Sequence, residues 1–412
     1  METRDKMKRD SLFGKIPENW SLKEIGDVIT LKQGLQISKK LRVQKEESGS
    51  VPLLKITDLP TRNYSEYVIN VPSGYIANPE DIIYTRTGQV GLVYTDINGC
   101  VHNNCFKVIA NDKLELSKNY IYYYLNNSRF REYANSIASG SVQKDLTHTS
   151  FKKILIAYPD LETQEKIASI LSALDDKIEI NNEMNKTLEE MAQTLFKRWF
   201  IDFDFPNENG EPYRSSGGKM VDSELGEIPE GWEVSNLGDL FKFVKGKKPK
   251  IVSENFSEET PLKYLTIKGF NGDENLYASE DKTILINKKD IVMVMDGASS
   301  GDVYIGKSGV LGSTFSKIEK IKEIDWSYIY LILKYYEGDI KSHTTGSAIP
   351  HTDKGYVEKI RVSLPNLELL NILSKKISGI IKRKLINQEE IQSLTEIRDI
   401  LLPKLMSGEV EV

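Results

Sequence analysis

At 412 residues, 39% apolar and 28% charged with a net charge of −5, the chain is long enough for two or three domains with cores of their own, and it is not coated in basic residues. No apolar run approaches the ~18 residues of a membrane span, the opening METRDKMKRDSLFGK lacks an apolar signal core, and the only cysteines, Cys100 and Cys105, fit a reducing cytoplasm. Lys plus Arg against Asp plus Glu run 17 against 13 over residues 20–158, 5 against 11 over 159–206, 2 against 6 over 207–231 and 19 against 19 over 232–364. Any nucleic-acid surface must therefore be local to the globular parts.

After an N-terminal extension (1–19), residues 20–158 show short runs rich in Val, Ile, Thr and Tyr at 51–56, 81–85, 91–95 and 106–110, separated by Gly, Asn and Pro turns. One helix is predicted over 118–131. This predicts an α+β domain in which a curved or barrel-like sheet carries loops. Residues 159–200 follow without a breaker, and Ile167, Leu171, Leu174, Ile178, Asn181, Asn185, Leu188, Ala192, Leu195 and Trp199 form a seam of heptad period, which asks for a partner helix. At ~1.5 Å per residue a helix of ~39 residues there would be ~58 Å long. Residues 201–231 have the composition of a linker. A second domain over 232–364, a second long helix over 365–406 and a tail at 407–412 complete the chain. At an offset of 206, Leu373, Ile377, Ile380, Asn387, Ile391, Leu394, Leu401 and Leu405 take the same seam, with Lys384 and Arg398 at the two remaining places. The two long helices are expected to pack antiparallel as an intramolecular coiled coil. A seam asparagine, here Asn181 and Asn387, fixes register at some cost in stability.

The whole organisation is thus a repeat. GKIPENW at 14–20 returns as GEIPEGW at 226–232, Asp81-Ile82-Ile83 as Asp290-Ile291-Val292, Tyr120-Ile121-Tyr122 as Tyr328-Ile329-Tyr330, and Gly140-Ser141 as Gly346-Ser347. Between the copies the offset drifts from 212 to 206, while the order of landmarks is unchanged.

No GxGxxG after a strand and no HExxH occurs, nor the Asn-Pro-Pro-aromatic tetrapeptide of a base methyltransferase. Cys100, His102 and Cys105 supply three potential zinc ligands in six residues, but a structural site needs four and the second copy has none, so a turn is the better reading. His148, His343 and His351 stand apart from any base pattern. Positive charge is where the copies agree: Lys39, Lys40, Arg42 and Lys45 follow Gly34, and Lys245, Lys247, Lys248 and Lys250 surround Gly246, as loops contacting phosphate would. A second loop follows the Asp-Ile strand, with Arg86, Thr87, Gly88 and Gln89 in one copy and Asp296, Gly297, Ala298 and Ser299 in the other. Arg and Gln suit guanine and adenine edges and Asp suits cytosine, so a retained turn with exchanged side chains is what two different half-sites need. The third loop, 140–145 with Lys144 against 346–351 with Ser347, behaves likewise.

These features together resemble the specificity subunit of type I restriction-modification enzymes. The resemblance spans residues 14–406 and rests on the repeated Gly-x-Ile-Pro-x-x-Trp, the Asp-Ile strand ending in a glycine loop, the Gly-Ser loop before Pro-x-Leu-Glu, the helix start Gln164-Glu165-x-Ile167, and the Phe-Asp-Phe-Pro linker with its Ser-Gly-Gly. It implies a DNA-binding, non-catalytic subunit with two target recognition domains for a split double-stranded target. The helices would serve as a ruler and as the docking surface for two methyltransferase subunits, with restriction/translocase subunits joined through these. S-adenosylmethionine, ATP and magnesium are then expected in the partners and none in this chain. The second copy departs where Leu369-Leu370 replaces Thr163-Gln164, which bears on whether both methyltransferase subunits dock alike. The alternative is a coiled-coil scaffold whose globular ends bind protein.

Overall fold

The computed structural model describes residues 10–113, 115–140, 143–272, 274–346 and 349–412. Tertiary contacts divide the chain into two units, residues 1–178 with 393–412, and residues 179–392.

In the first unit a four-stranded sheet runs in the order Val93–Tyr94, Ile82–Thr85, Cys105–Ala110, Ile29–Gln33, beside a five-stranded sheet in the order Arg42–Val43, Tyr67–Ile69, Ser50–Leu54, Gly99–Val101, Ile76–Ala77. Side chains alternate across a strand, and both faces of the four-stranded sheet are used. Ile82, Tyr84, Phe106 and Val108 join a core with Tyr120, Tyr124, Phe130 and Phe151 of the helical layer. Ile83 and Cys105 face Leu54, Ala77 and Val101 of the other sheet. Lys107 lies on that second face as well, where it meets Asp81 at 2.8 Å and donates to the Ile76 carbonyl at 2.9 Å. The aspartate of the Asp-Ile motif is therefore the counterion of a buried lysine. Its carboxylate also accepts from the Asn78 amide at 3.0 Å, closing the turn into the strand.

The second unit repeats this plan. Its sheets run Phe241–Lys245, Phe315–Lys320, Ile291–Val294, Val303–Tyr304, and Val252–Ser253, Leu276–Ala278, Leu262–Leu265, Gly309–Leu311, Leu285–Ile286. Asp290 meets Lys317 at 3.1 Å and accepts from the Asn287 amide at 2.8 Å. The mixed α+β repeat read from the sequence is the observed fold.

The expected helix over 118–131 is two helices, Lys118–Leu125 and Ser128–Ile137. The side chain of the intervening Asn127 accepts from the Arg129 amide at 2.9 Å and starts the second, as an N-cap asparagine does. The stretch 201–231 is also built rather than loose. Phe203 and Phe205 pack on Trp232 at 5.4 and 5.3 Å between ring centroids, Tyr213 stacks on Phe205 at 4.7 Å, and Met220–Ser223 pairs with Gly226–Pro229.

The long helices run Leu161–Phe196, with a π-helical turn Lys197–Ile201, and Leu367–Ser407. Asp160 and Asn366 start them by accepting from the Thr163 and Leu369 amides at 3.0 and 2.9 Å. In the first unit Ile167 and Leu171 share a core with Leu402, Leu405 and Met406. In the second, Ala192 and Phe196 share one with Leu370, Leu373, Ile377 and Ile381. Rising numbers on one helix meet falling numbers on the other, so the packing within each unit is antiparallel.

The departure at the second helix start is compensated one residue later. Gln164 is buried, accepts from the Ser117 amide at 2.9 Å and donates to the carbonyls of Glu115 and Pro159, each at 2.9 Å. Leu370 is buried in the second copy, and Asn371 takes over the bonds, accepting from the Asp325 amide at 3.0 Å and donating to the Glu323 carbonyl at 3.1 Å. The difference thus concerns the joint between domain and helix.

The two charged seam positions are paired. Lys384 meets Glu189 at 2.5 Å while the Tyr330 hydroxyl donates to the same carboxylate at 3.0 Å, and Arg398 meets Asp175 at 2.8 Å while Tyr123 donates to it at 2.8 Å. Burial disfavours the Glu189 charge, but Lys384, Gln193 and Tyr330 outweigh it and hold the carboxyl below its ordinary range. Its stabilisation is present above the unfolded value near ~4.3 and is lost as pH falls through the lower folded value. Glu189→Gln should therefore cost about 3 kcal/mol at pH 7 by leaving Lys384 without its anion, and the gap to wild type should narrow below about pH 4 in denaturant titrations. Asn181 and Asn387 are fully buried, and among the described residues neither side-chain amide has a hydrogen-bond partner. Replacing both by leucine should raise stability by about 1–3 kcal/mol, read as a higher melting temperature.

Candidate nucleic-acid interface

Strand Cys105–Ala110 pairs antiparallel with both neighbours, and Gln33 and Tyr84 both stand opposite Phe106. The chain segments beyond Gln33 and beyond Thr85 therefore leave the sheet at one edge. In the second unit Lys245 and Met293 both stand opposite Ser316, with the same result.

The third loop joins that edge through backbone bonds that recur in both units. The Gly88 amide donates to the Lys144 carbonyl at 2.8 Å and the Leu146 amide to the Arg86 carbonyl at 2.9 Å. Correspondingly, the Gly297 amide donates to Pro350 at 2.9 Å and the Thr352 amide to Met295 at 2.8 Å. Both second-loop glycines have positive φ, +79° and +105°, a conformation that favours glycine. His148, three residues beyond the third loop, lies edge-on to Phe106 at 4.4 Å with Nε2 2.9 Å from the Gln33 amide oxygen. Burial and the nearby Arg86 push its pKa down, so the neutral ring donates there.

Side chains fill this frame differently. In the first unit one Arg86 nitrogen donates to both Asp145 oxygens at 2.6 Å, Arg86 Nε donates to the Leu146 carbonyl at 3.3 Å, and the Thr87 hydroxyl donates to Asp145 at 2.7 Å. In the second, His351 Nδ1 donates to Asp296 at 2.8 Å and Lys245 lies 3.9 Å from the same carboxylate.

Of the residues singled out in the sequence, Lys39, Lys40, Lys45, Gln89, Lys144, Lys247 and Lys248 are exposed. Lys144 reaches back to the Asn135 carbonyl at 2.9 Å and Lys250 lies 3.7 Å from Asp281. Ser299 is half-buried. Two arginines are engaged within the protein: Arg86, as above, and Arg42, which meets Glu66 at 2.8 Å and donates twice to the Ile37 carbonyl. Ser347 lies outside the described residues. Asp145, His351 and His148 were not expected at the site. The first two could be seen only as members of the third loop, because their partners lie 59 and 55 residues away.

Cys100 and Cys105 are buried, which pushes their thiols up to about 11 and about 12. The Cys105 amide donates to the His102 carbonyl at 2.9 Å in a turn between strands. Among the described residues no group of three or more His, Cys, Asp or Glu side chains could hold a metal ion. Among the described residues the edge offers hydrogen-bonding groups and cations.

Two copies of one α+β module, each presenting loops at a sheet edge and each built onto long helices, define a tandem-repeat protein. The chain belongs to the family of type I restriction modification DNA specificity domains, whose profile matches residues 17–190 and again 229–396. It is 28% identical to the type I restriction enzyme MjaIX specificity subunit of Methanocaldococcus jannaschii over 430 residues, covering 98% of this chain and 96% of that one. Identity to the HindI specificity subunit of Haemophilus influenzae is also 28%, over 80% of this chain and 86% of that one. The crystal structure of the type I S subunit from M. genitalium shares the fold, with a TM-score of 0.60 at 22% identity and coverage of 96% and 98%. Among the described residues no helix is long and apolar enough to cross a membrane.

Replacing Lys107 by methionine should leave the half-buried Asp81 without its cation and cost about 3 kcal/mol. Asp290→Asn should act similarly through Lys317, each checked by thermal unfolding.

Proposed function

We propose that this chain is the DNA-reading subunit of a type I restriction-modification complex. Each unit reads one half of a split duplex target, and methylation and cleavage are carried out by partner subunits that bring S-adenosylmethionine, ATP and magnesium. The observation that carries this reading is one backbone frame with exchanged side chains: Arg86, Thr87 and Asp145 in one unit stand where Met295, Asp296 and His351 stand in the other. A shared scaffold with different hydrogen-bonding groups suits two different base sequences, and the exposed lysines around Gly34 and Gly246 suit phosphates.

The helices support docking of the methyltransferase subunits. Ile386 is 54% exposed in the second unit and Ile400 is 60% exposed in the first, apolar side chains that a docked partner would cover.

Selection of duplexes from a random pool by the chain with its methyltransferase partner should recover two short motifs separated by unread bases. A single continuous motif, or none, would reject the proposal. Lys39→Glu with Lys40→Glu should weaken binding to all duplexes and flatten the slope of log K against log salt by roughly 0.9 for each phosphate no longer neutralised. Ile386→Asp should lower methyltransferase affinity at least about tenfold in titration calorimetry while leaving the melting temperature of the free chain unchanged.

A further inference from the structure

The side-chain pair that ties the second loop to the third has opposite polarity in the two units. In the first, the cation Arg86 is on the second loop and the anion Asp145 on the third. In the second, the anion Asp296 is on the second loop and the imidazole of His351 on the third. Neither pair is needed to close the joint, because the amides of Gly88 and Leu146, and of Gly297 and Thr352, already do so in the same way. The pairs instead determine which groups remain for a ligand. Asp145 accepts from Arg86 and Thr87, and the Arg86 side chain is 16% exposed with its guanidinium 5.3 Å from the centre of the Phe106 ring. A guanidinium so occupied cannot present its two-pronged donor face to a guanine. The exposed neighbours Gln89 and Lys144 are left at that edge. In the second unit the His351 side chain is 50% exposed and its Nδ1 is taken by Asp296, leaving Nε2 as its free polar atom.

We infer that Asp145 and His351, one position in two copies, are positioning residues that set the sequence preference of their half-sites by withholding or presenting the second-loop side chain. This rests on the DNA-reading function proposed above. Changing the residue at this position changes which bases are preferred at one half-site, beyond any change in affinity.

The test uses the full chain assembled with its methyltransferase partner and the duplexes recovered for wild type, with each half-site scrambled in turn. Asp145→Asn, nearly isosteric, should release Arg86 and lower discrimination at one half-site at least about tenfold, as loss of a charge-assisted pair allows. Repeated selection should show a new preference there, with guanine gaining. Discrimination at the other half-site and the melting temperature should stay at wild-type values. Arg86→Gln should affect the same half-site only. An unchanged motif with both variants overturns the inference, as does a loss shared equally by both half-sites with a lowered melting temperature, which marks a merely structural role. Absence of any sequence preference in wild type would instead overturn the DNA-reading function.

Discussion

The antiparallel pairing of strand Cys105–Ala110 with Ile29–Gln33 on one side and Ile82–Thr85 on the other is the constraint from which the rest follows. A strand antiparallel to both neighbours makes those neighbours run the same way, so their loops leave together. The pairing is made by backbone groups and is indifferent to what the loops carry. The same register recurs around Phe315–Lys320. Only a few side chains are forced by it. Gly34 and Gly246 are two, since a Cβ at either would collide with the backbone carbonyl of His102 or Gly312. Asp81 and Asp290 are two more, each neutralising a lysine on the paired strand, the buried Lys107 and the half-buried Lys317.

These enforced residues are what made the repeat legible. Glycine, proline and aspartate landmarks persist because backbone geometry or a buried charge requires them, and the long helices showed through period alone. What the sequence concealed was pairing at a distance. A cation on a loop reads the same whether it faces solvent, as Lys39 does, or an acid well separated along the chain, as Arg42 and Arg86 do. The region 201–231 looked like a linker because Gly, Pro and Asn dominate its composition, yet Phe203 and Phe205 anchor it to Trp232. The helix break at Asn127 sits in the polar stretch Asn126-Asn127-Ser128-Arg129, too short to show as a loop between two helices. Replacement of Gln164 by Asn371 was hidden because the function moved by one position, which an alignment at fixed offset scores as a loss.

The helix seam shows how far periodicity can carry an argument. Heptads predict that a helix has a partner, and each unit supplies one. The period does not show that the seam is shared with the domain. Tyr123 and Tyr330 come from the domain helices and complete the carboxylate pairs of Arg398 and Lys384, and the Ser327 hydroxyl donates to the Ser374 carbonyl at 3.1 Å. Each helix segment is part of a domain core as much as of a coiled coil. A charged residue at a seam position is tolerated here because a hydroxyl and a carboxylate from two different elements complete its shell. Without them it would be a buried, uncompensated ion.

The same separation of frame from filling lets one fold carry different side chains at its edge. If the joint between the second and third loops depended on the Arg86–Asp145 pair, any change in the reader would loosen the loop that holds it, and specificity could change only at the expense of stability. The amide bonds at Gly88, Leu146, Gly297 and Thr352 remove that coupling. Arg86–Asp145 and Asp296–His351 have exchanged polarity across the same joint, with corresponding amide bonds within about 0.1 Å of each other in length. The side chains at the edge are therefore free to change, while the sheet beneath keeps its register.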